Sequence, residues 1–266
     1  MQIRKPKQTV KPDMKKISEL EQKILQKDVH DGFDAKLPYI RPVDAATLVI
    51  IDSSKKKPKV LMGKRSAKHK FMPNKFVFPG GRVDPCDTRL KTLDSLRAPV
   101  MKRLRQEIGA RMTENRLRGM ALAAIRETFE ETGLIIGAAS RHTIKTSNQE
   151  WAAFLQHGAV PSIRNLDFIG RAITPTQRTR RFDTRFFCVE ASELFNDPTN
   201  LGGTGELLEL HWLTFDEAQK KDLPSITHYV LLDLEKRLKI PSPERFHKPA
   251  FFFRSAKHKP EITILR

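Results

Sequence analysis

Cysteine is scarce in this chain. Among 266 residues only Cys86 and Cys188 occur, about a hundred positions apart, which excludes a disulfide framework and offers no zinc-knuckle spacing. Two free thiols in a reducing compartment are expected. No stretch approaches the roughly 18 consecutive apolar residues of a membrane span, and the first thirty residues contain no apolar centre of the kind a secretory leader needs. A cytoplasmic protein without a membrane partner is therefore expected. Acidic residues are also in deficit: 31 Asp and Glu stand against 49 Lys and Arg, a net charge of +18. The excess favours polyanionic partners without choosing among them, because the cations spread over both ends of the chain, residues 88–118 and residues 171–185.

Hydrophobic residues make up 39% and glycine adds 13 more positions, which brings the apolar share to the ordinary globular range and excludes a disordered or collagen-like chain. Residues 1–40 are rich in Lys and Gln, with one weakly helical stretch marked by Ile17, Leu20 and Ile24, and read as a basic extension contributing little to a core. Residues 241–266 are similarly charged, yet Phe251, Phe252 and Phe253 give this tail something to bury, so it is expected to pack back. In between, residues 46–52, 60–63, 76–78, 166–173, 182–189 and 207–213 read as strands, and residues 119–132 and 226–238 as helices. Strands and helices interleave without a regular βαβ rhythm. That pattern predicts an α/β (α+β) fold with a mixed sheet and helices on both faces, as one domain over residues 41–240.

The helix over 119–132 carries the chemistry. Leu122, Ile125 and Phe129 share one face, whereas Glu127, Glu130 and Glu131 cluster away from them just before Gly133. Like charges at these spacings repel, and acids in a last turn face the negative end of the helix dipole, each at some tenths of a kcal/mol. Two readings fit: a solvated charged face, or a face that holds a hard divalent cation such as Mg²⁺, which takes carboxylate oxygens and completes its shell with water and substrate phosphates.

Gly81, five residues, Asp87, and later the run Arg126-Glu127-Thr128-Phe129-Glu130-Glu131-Thr132-Gly133-Leu134 resemble the signature of the Nudix hydrolase superfamily. Three departures stand out. Thr128 occupies an apolar position, Asp87 stands for a Glu, and 38 residues separate Asp87 from Arg126 where the signature has seven, so an insertion of about 31 residues covers roughly 88–118. The resemblance implies an α/β/α sandwich with a mixed sheet, a helical insertion and basic terminal extensions. It implies that Glu130 and Glu131 ligate Mg²⁺ or Mn²⁺, that Glu127 is a further ligand or its support, and that Arg126 with Asp87 as counterpart orients the acids. Relatives often recruit one more Glu from outside the motif, for which Glu206 is the candidate and Glu209 the alternative.

The implied reaction is metal-assisted hydrolysis of a nucleoside diphosphate linked to another group. Upstream, Leu61-Met62-Gly63-Lys64-Arg65-Ser66, Lys70, Asn74 and Phe78-Pro79-Gly80-Gly81 are similar to the motif of coenzyme A diphosphatases within that superfamily, with Lys70 standing for Arg and Asn74 for Gly. Coenzyme A or an acyl-coenzyme A is the implied substrate, and Arg65, Lys70, Gly80, Gly81, Arg181 and Arg185 are the implied contacts to its phosphates. Around residues 182–189 the strand period sets Phe182, Thr184 and Phe186 on one face and Arg181, Asp183 and Arg185 on the other, so an ion-paired outer face competes with phosphate binding there. ADP-ribose, NADH, a dinucleoside polyphosphate or an RNA 5′ end are the rival substrates. A homodimer is compatible with the resemblance. A nucleic-acid binder with a vestigial domain draws on the cations between Arg4 and Lys16, but no reading helix, zinc site or stacking motif accompanies them.

Overall fold

The computed structural model describes Met14 and residues 17–30, 33–67, 72–109, 112–141, 144–202, 206–241, 244–256 and 259–266. In chain order the elements are α1 (Glu19–His30), β1 (Val43–Asp52), β2 (Lys59–Arg65), β3 (Phe76–Val77), β4 (Gly80–Arg82), α2 (Pro85–Arg89), α3 (Ala98–Leu104), α4 (Glu114–Thr132), β5 (Gly137–Ala139), α5 (Gln149–Gln156), β6 (Ala159–Pro161), β7 (Asp167–Ile173), β8 (Phe182–Glu190), β9 (Leu207–Thr214), α6 (Phe215–Gln219), α7 (Ser225–Leu238), β10 (Ala250–Ala256) and β11 (Lys259–Leu265). One mixed sheet runs in the order β11-β10-β7-β8-β1-β2-β3, with β4 on β1 and β9 on β2. The β1–β8 and β7–β10 pairs are parallel and the rest antiparallel.

Alternation along the strands divides the interior. On β1, Ala46, Leu48 and Ile50 join the core built around α4, while Val49 and Ile51 join the core against α7. Strand β10 splits likewise, Phe252 to the first core and Phe251 and Phe253 to the second. Helices cover both faces of the sheet, the expected sandwich. Among the described residues, no helix is long and apolar enough to cross a membrane.

One expectation about the chain ends needs correction. The first 40 residues were expected to add little to the core, yet Leu25 and Val29 are fully buried beside α7. Their i, i+4 spacing makes the buried stripe of α1, and Leu20 points outward. The tail does pack back, but as strands rather than as an appendage. Its three phenylalanines alternate across the sheet, and β10 continues it next to β7, where the ring of Phe251 lies against the bare backbone of Gly170. Among the described residues the insertion is only partly helical: it takes in the end of α2 and the whole of α3, and from Glu114 onward the chain already belongs to α4.

Helix α4 positions the acids. The Thr113 side chain caps its start by accepting from Arg116 N at 3.3 Å, and Gly133 ends it in the left-handed conformation at φ 73°. Thr128 is tolerated at an apolar position because its hydroxyl donates to the Ala124 carbonyl at 2.7 Å, within its own helix.

Candidate active site

Arg126 is the hub of the site. Its Nε and Nη2 donate to the two carboxylate oxygens of Asp87 at 2.9 and 3.0 Å, and Nη2 also donates to the Arg82 carbonyl at 2.9 Å. Its Nη1 meets Oε1 of both Glu127 and Glu130 at 2.9 Å. One rigid fork thus joins α2, β4 and two acids of α4. Asp87 is completely buried, and the substitution of Asp for Glu costs it no partner: Oδ2 accepts from Asp84 N at 2.8 Å and Oδ1 from the Trp151 indole at 2.9 Å.

The turn into β4 brings main chain against the other acids. Gly80 N donates to Glu131 Oε2 at 2.8 Å. At φ 155°, with Thr47 and the Ala46 carbonyl where a Cβ would stand, this position requires glycine. A Cβ on Gly81 would collide with the Glu127 carboxylate, so the second glycine lets that acid approach the strand. Glu131 is 3% exposed, and burial pushes its carboxyl up to about 8; burial likewise pushes Glu127 up to about 7, with Arg126 opposing. Glu130 is raised too, again by burial. The solvated-face reading of these acids fails on that burial. Arg65 faces Glu131, Glu206 and Glu127, whose charges support its guanidinium against desolvation.

Beside these groups opens a cleft of about 510 Å³, which Glu131 and Asp87 do not themselves line. Arg65, Gly80, Gly81, Arg126, Glu127, Glu130 and Glu206 all border it. Glu209, the alternative to Glu206, pairs with Lys64 at 3.1 Å and does not line the cleft. Two expected phosphate contacts are displaced. Arg185 is 1% exposed, bound to Asp183 at 2.9 Å and Asp44 at 3.3 Å, and Arg181 donates to the carbonyls of Ile40, Thr174 and Pro175. The strand period explains both, since Phe182, Thr184 and Phe186 take the cleft face of β8 and the arginines take the other. Lys70 lies outside the described residues.

Several cleft residues escaped sequence reasoning. Glu150 on α5 borders the cleft near Glu130, and Arg180, Arg82 and Asp84 stand along it. Ala172, Ile173, Phe182, Phe186, Ile226 and Phe253 form an apolar wall. Phe253 comes from β10, so the terminal phenylalanines were the available signal. Glu150 had none beyond an acid following a helix cap, Asn148.

The NUDIX domain model matches residues 41–234. The chain belongs to the NUDIX family. It is 27% identical over 210 residues to an acyl-coenzyme A diphosphatase of Xenopus laevis, NUDT19, covering 60% of this chain and 53% of that protein. The Gallus gallus protein of the same name is 29% identical over 184 residues, covering 49% and 48%. The chain spans about half the length of these curated relatives. A NUDIX hydrolase structure from Alicyclobacillus acidocaldarius matches with a TM-score of 0.53 at 27% identity, over 72% of this chain and 90% of that one.

The donor set at this NUDIX site fits a hard divalent cation. Glu127, Glu130, Glu131 and Glu206 offer carboxylate oxygens around Arg65 and Arg126, the donor type such a cation takes. Among the described residues, no three potential ligands are already gathered as a cluster that could hold a metal. Arg126 engages Glu127 and Glu130, and Gly80 engages Glu131, so side chains must turn inward for a cation to be held.

Proposed function

We propose that this chain is a divalent-cation-dependent hydrolase of the diphosphate bond in a nucleoside diphosphate linked to a second group, with coenzyme A or an acyl-coenzyme A as its substrate. The observation that carries the proposal is the cleft in which Glu127 and Glu130 face the Gly80-Gly81 turn beside Arg65. Glu127, Glu130 and Glu131 would hold the cation, Mg²⁺ or Mn²⁺, which when bound neutralises diphosphate oxygens and acidifies water. Gly80 and Gly81 leave room for phosphate against the main chain, and Arg65 donates to its oxygens. Glu206, on the cleft, would accept the proton of the attacking water, and Arg126 keeps Glu127 and Glu130 oriented. The substrate reading is supported by the Arg65-Ser66 motif, by the names of the two relatives, and by an apolar wall that suits the uncharged arm of such a molecule.

The test is mass spectrometry of products after incubation with Mg²⁺ and coenzyme A, an acyl-coenzyme A, ADP-ribose, NADH or a 5′-triphosphorylated RNA. Adenosine 3′,5′-bisphosphate and a phosphopantetheine, formed from the coenzyme A samples alone, are the expected products. Cleavage of another member only would discard the substrate reading and retain the hydrolase. No cleavage of any member would sink the proposal.

A further inference from the structure

Trp151 lies outside the family signature, and its polar edge points at that signature. The side chain is wholly buried in the first turn of α5, where its backbone N–H is held by the Asn148 cap at 2.8 Å. Its ring meets Phe154 edge-on at 5.3 Å, and Phe154 meets Phe129 edge-on at 5.3 Å, between Glu127 and Glu130 in sequence. The indole N–H then donates to Asp87 Oδ1, the oxygen that also accepts Arg126 Nε. Packing alone explains a buried tryptophan finding some acceptor, but this acceptor is the carboxylate that receives both Nε and Nη2 of the Arg126 fork. Asp is a methylene shorter than Glu, and Trp151 fills the side of Asp87 that the fork leaves open.

We infer that Trp151 is a positioning residue, setting the orientation of Glu127 and Glu130 through Asp87 and Arg126; this rests on the hydrolase reading. Without the indole donor, Asp87 Oδ1 loses one of two strong partners, the fork gains freedom, and the two acids pivot with it. Partners one step removed from metal ligands typically change affinity or activity about 10- to 100-fold when removed.

Two variants remove the donor: W151F, and replacement of Trp151 by 3-benzothienylalanine, which keeps the bicyclic shape and puts sulfur where the N–H stood. Mn²⁺ binding is followed by electron paramagnetic resonance of the free ion, and turnover and melting temperature are measured beside it. Both variants are expected to weaken Mn²⁺ binding about tenfold and to lower kcat by a similar factor, with KM for the nucleotide within about twofold. The isostere isolates the hydrogen bond if W151F folds poorly. Unchanged Mn²⁺ affinity and kcat in the isostere, whatever its melting temperature, would overturn the inference and leave Trp151 a packing residue. Failure of the unaltered chain to bind Mn²⁺ or to turn over any diphosphate would instead overturn the hydrolase reading, and this inference with it.

Discussion

Two buried arginine clusters, built from the same chemistry, differ in charge balance. Arg103, 2% exposed, binds Asp167 at 2.6 Å and directs its other donors at the carbonyls of Pro99, Phe246 and Lys248. Arg237 approaches the same Asp167 at 3.6 Å and donates to the Pro249 carbonyl at 2.7 Å. Two bases share Asp167 there, Arg237 also reaches Asp233 at 3.8 Å, and main-chain oxygens take most of the remaining donors. Around Arg126 the ratio is reversed, with three carboxylates on one guanidinium and Glu131 in the next position along the helix. The first cluster ties residues 246–249, the lead into β10, to α3 and α7. The second gathers more carboxylates than its own arginine can pair, which is the feature the proposed cation would use.

The contrast breaks most visibly at Asp167. Removing one partner of a buried ion pair leaves an uncompensated charge, here that of Arg103, at about 3–5 kcal/mol. Asp167→Ala is expected to lose that much stability in urea unfolding while turnover per folded molecule at low temperature stays within about twofold. A large loss of turnover without a stability change would erase the distinction between the clusters.

At the other cluster the signature is inverted. Glu130 keeps a quarter of its side-chain surface exposed, so Glu130→Gln should barely move the melting temperature. Turnover should fall at least about 100-fold, because one charged ligand of the cation is replaced by a neutral amide. Full activity in this variant would remove Glu130 from the site.

This difference marks the limit of what the chain discloses unaided. The acids of α4 and the Gly80-Gly81 turn are legible because they lie at short, fixed spacings imposed by one helix and one tight turn, whereas the Arg126–Asp87 pair spans 38 intervening residues and is legible only through the resemblance. Arg181 and Arg185 were misread because residue type says phosphate while strand parity says the opposite face, and parity decides. Trp151, Glu150 and Phe253 reach the cleft through long-range packing of α5 and β10, for which no local pattern exists. The buried stripe of α1 was underestimated because only two fully buried residues carry it, diluted among Lys and Gln.

The smallest effect sharpens the charge argument most directly. Glu131 and Glu127 have folded-state values of about 8 and about 7, raised by burial from a reference of 4.5. The folded chain therefore holds protons there that the unfolded chain has already released, so between about pH 5 and 8 stability must fall as pH rises. In chelator, the melting temperature should decline across that window, and Glu131→Gln should flatten the decline. That variant shares the background of eight histidines, which the comparison removes. Saturating Mg²⁺ should raise the transition most at the alkaline end, because a cation bound only by the folded, ionised carboxylates replaces the protons that would otherwise be taken up. If Mg²⁺ shifts the transition equally at pH 5 and pH 8, the buried carboxylates are not where it binds, and the second cluster becomes a structural knot like the first.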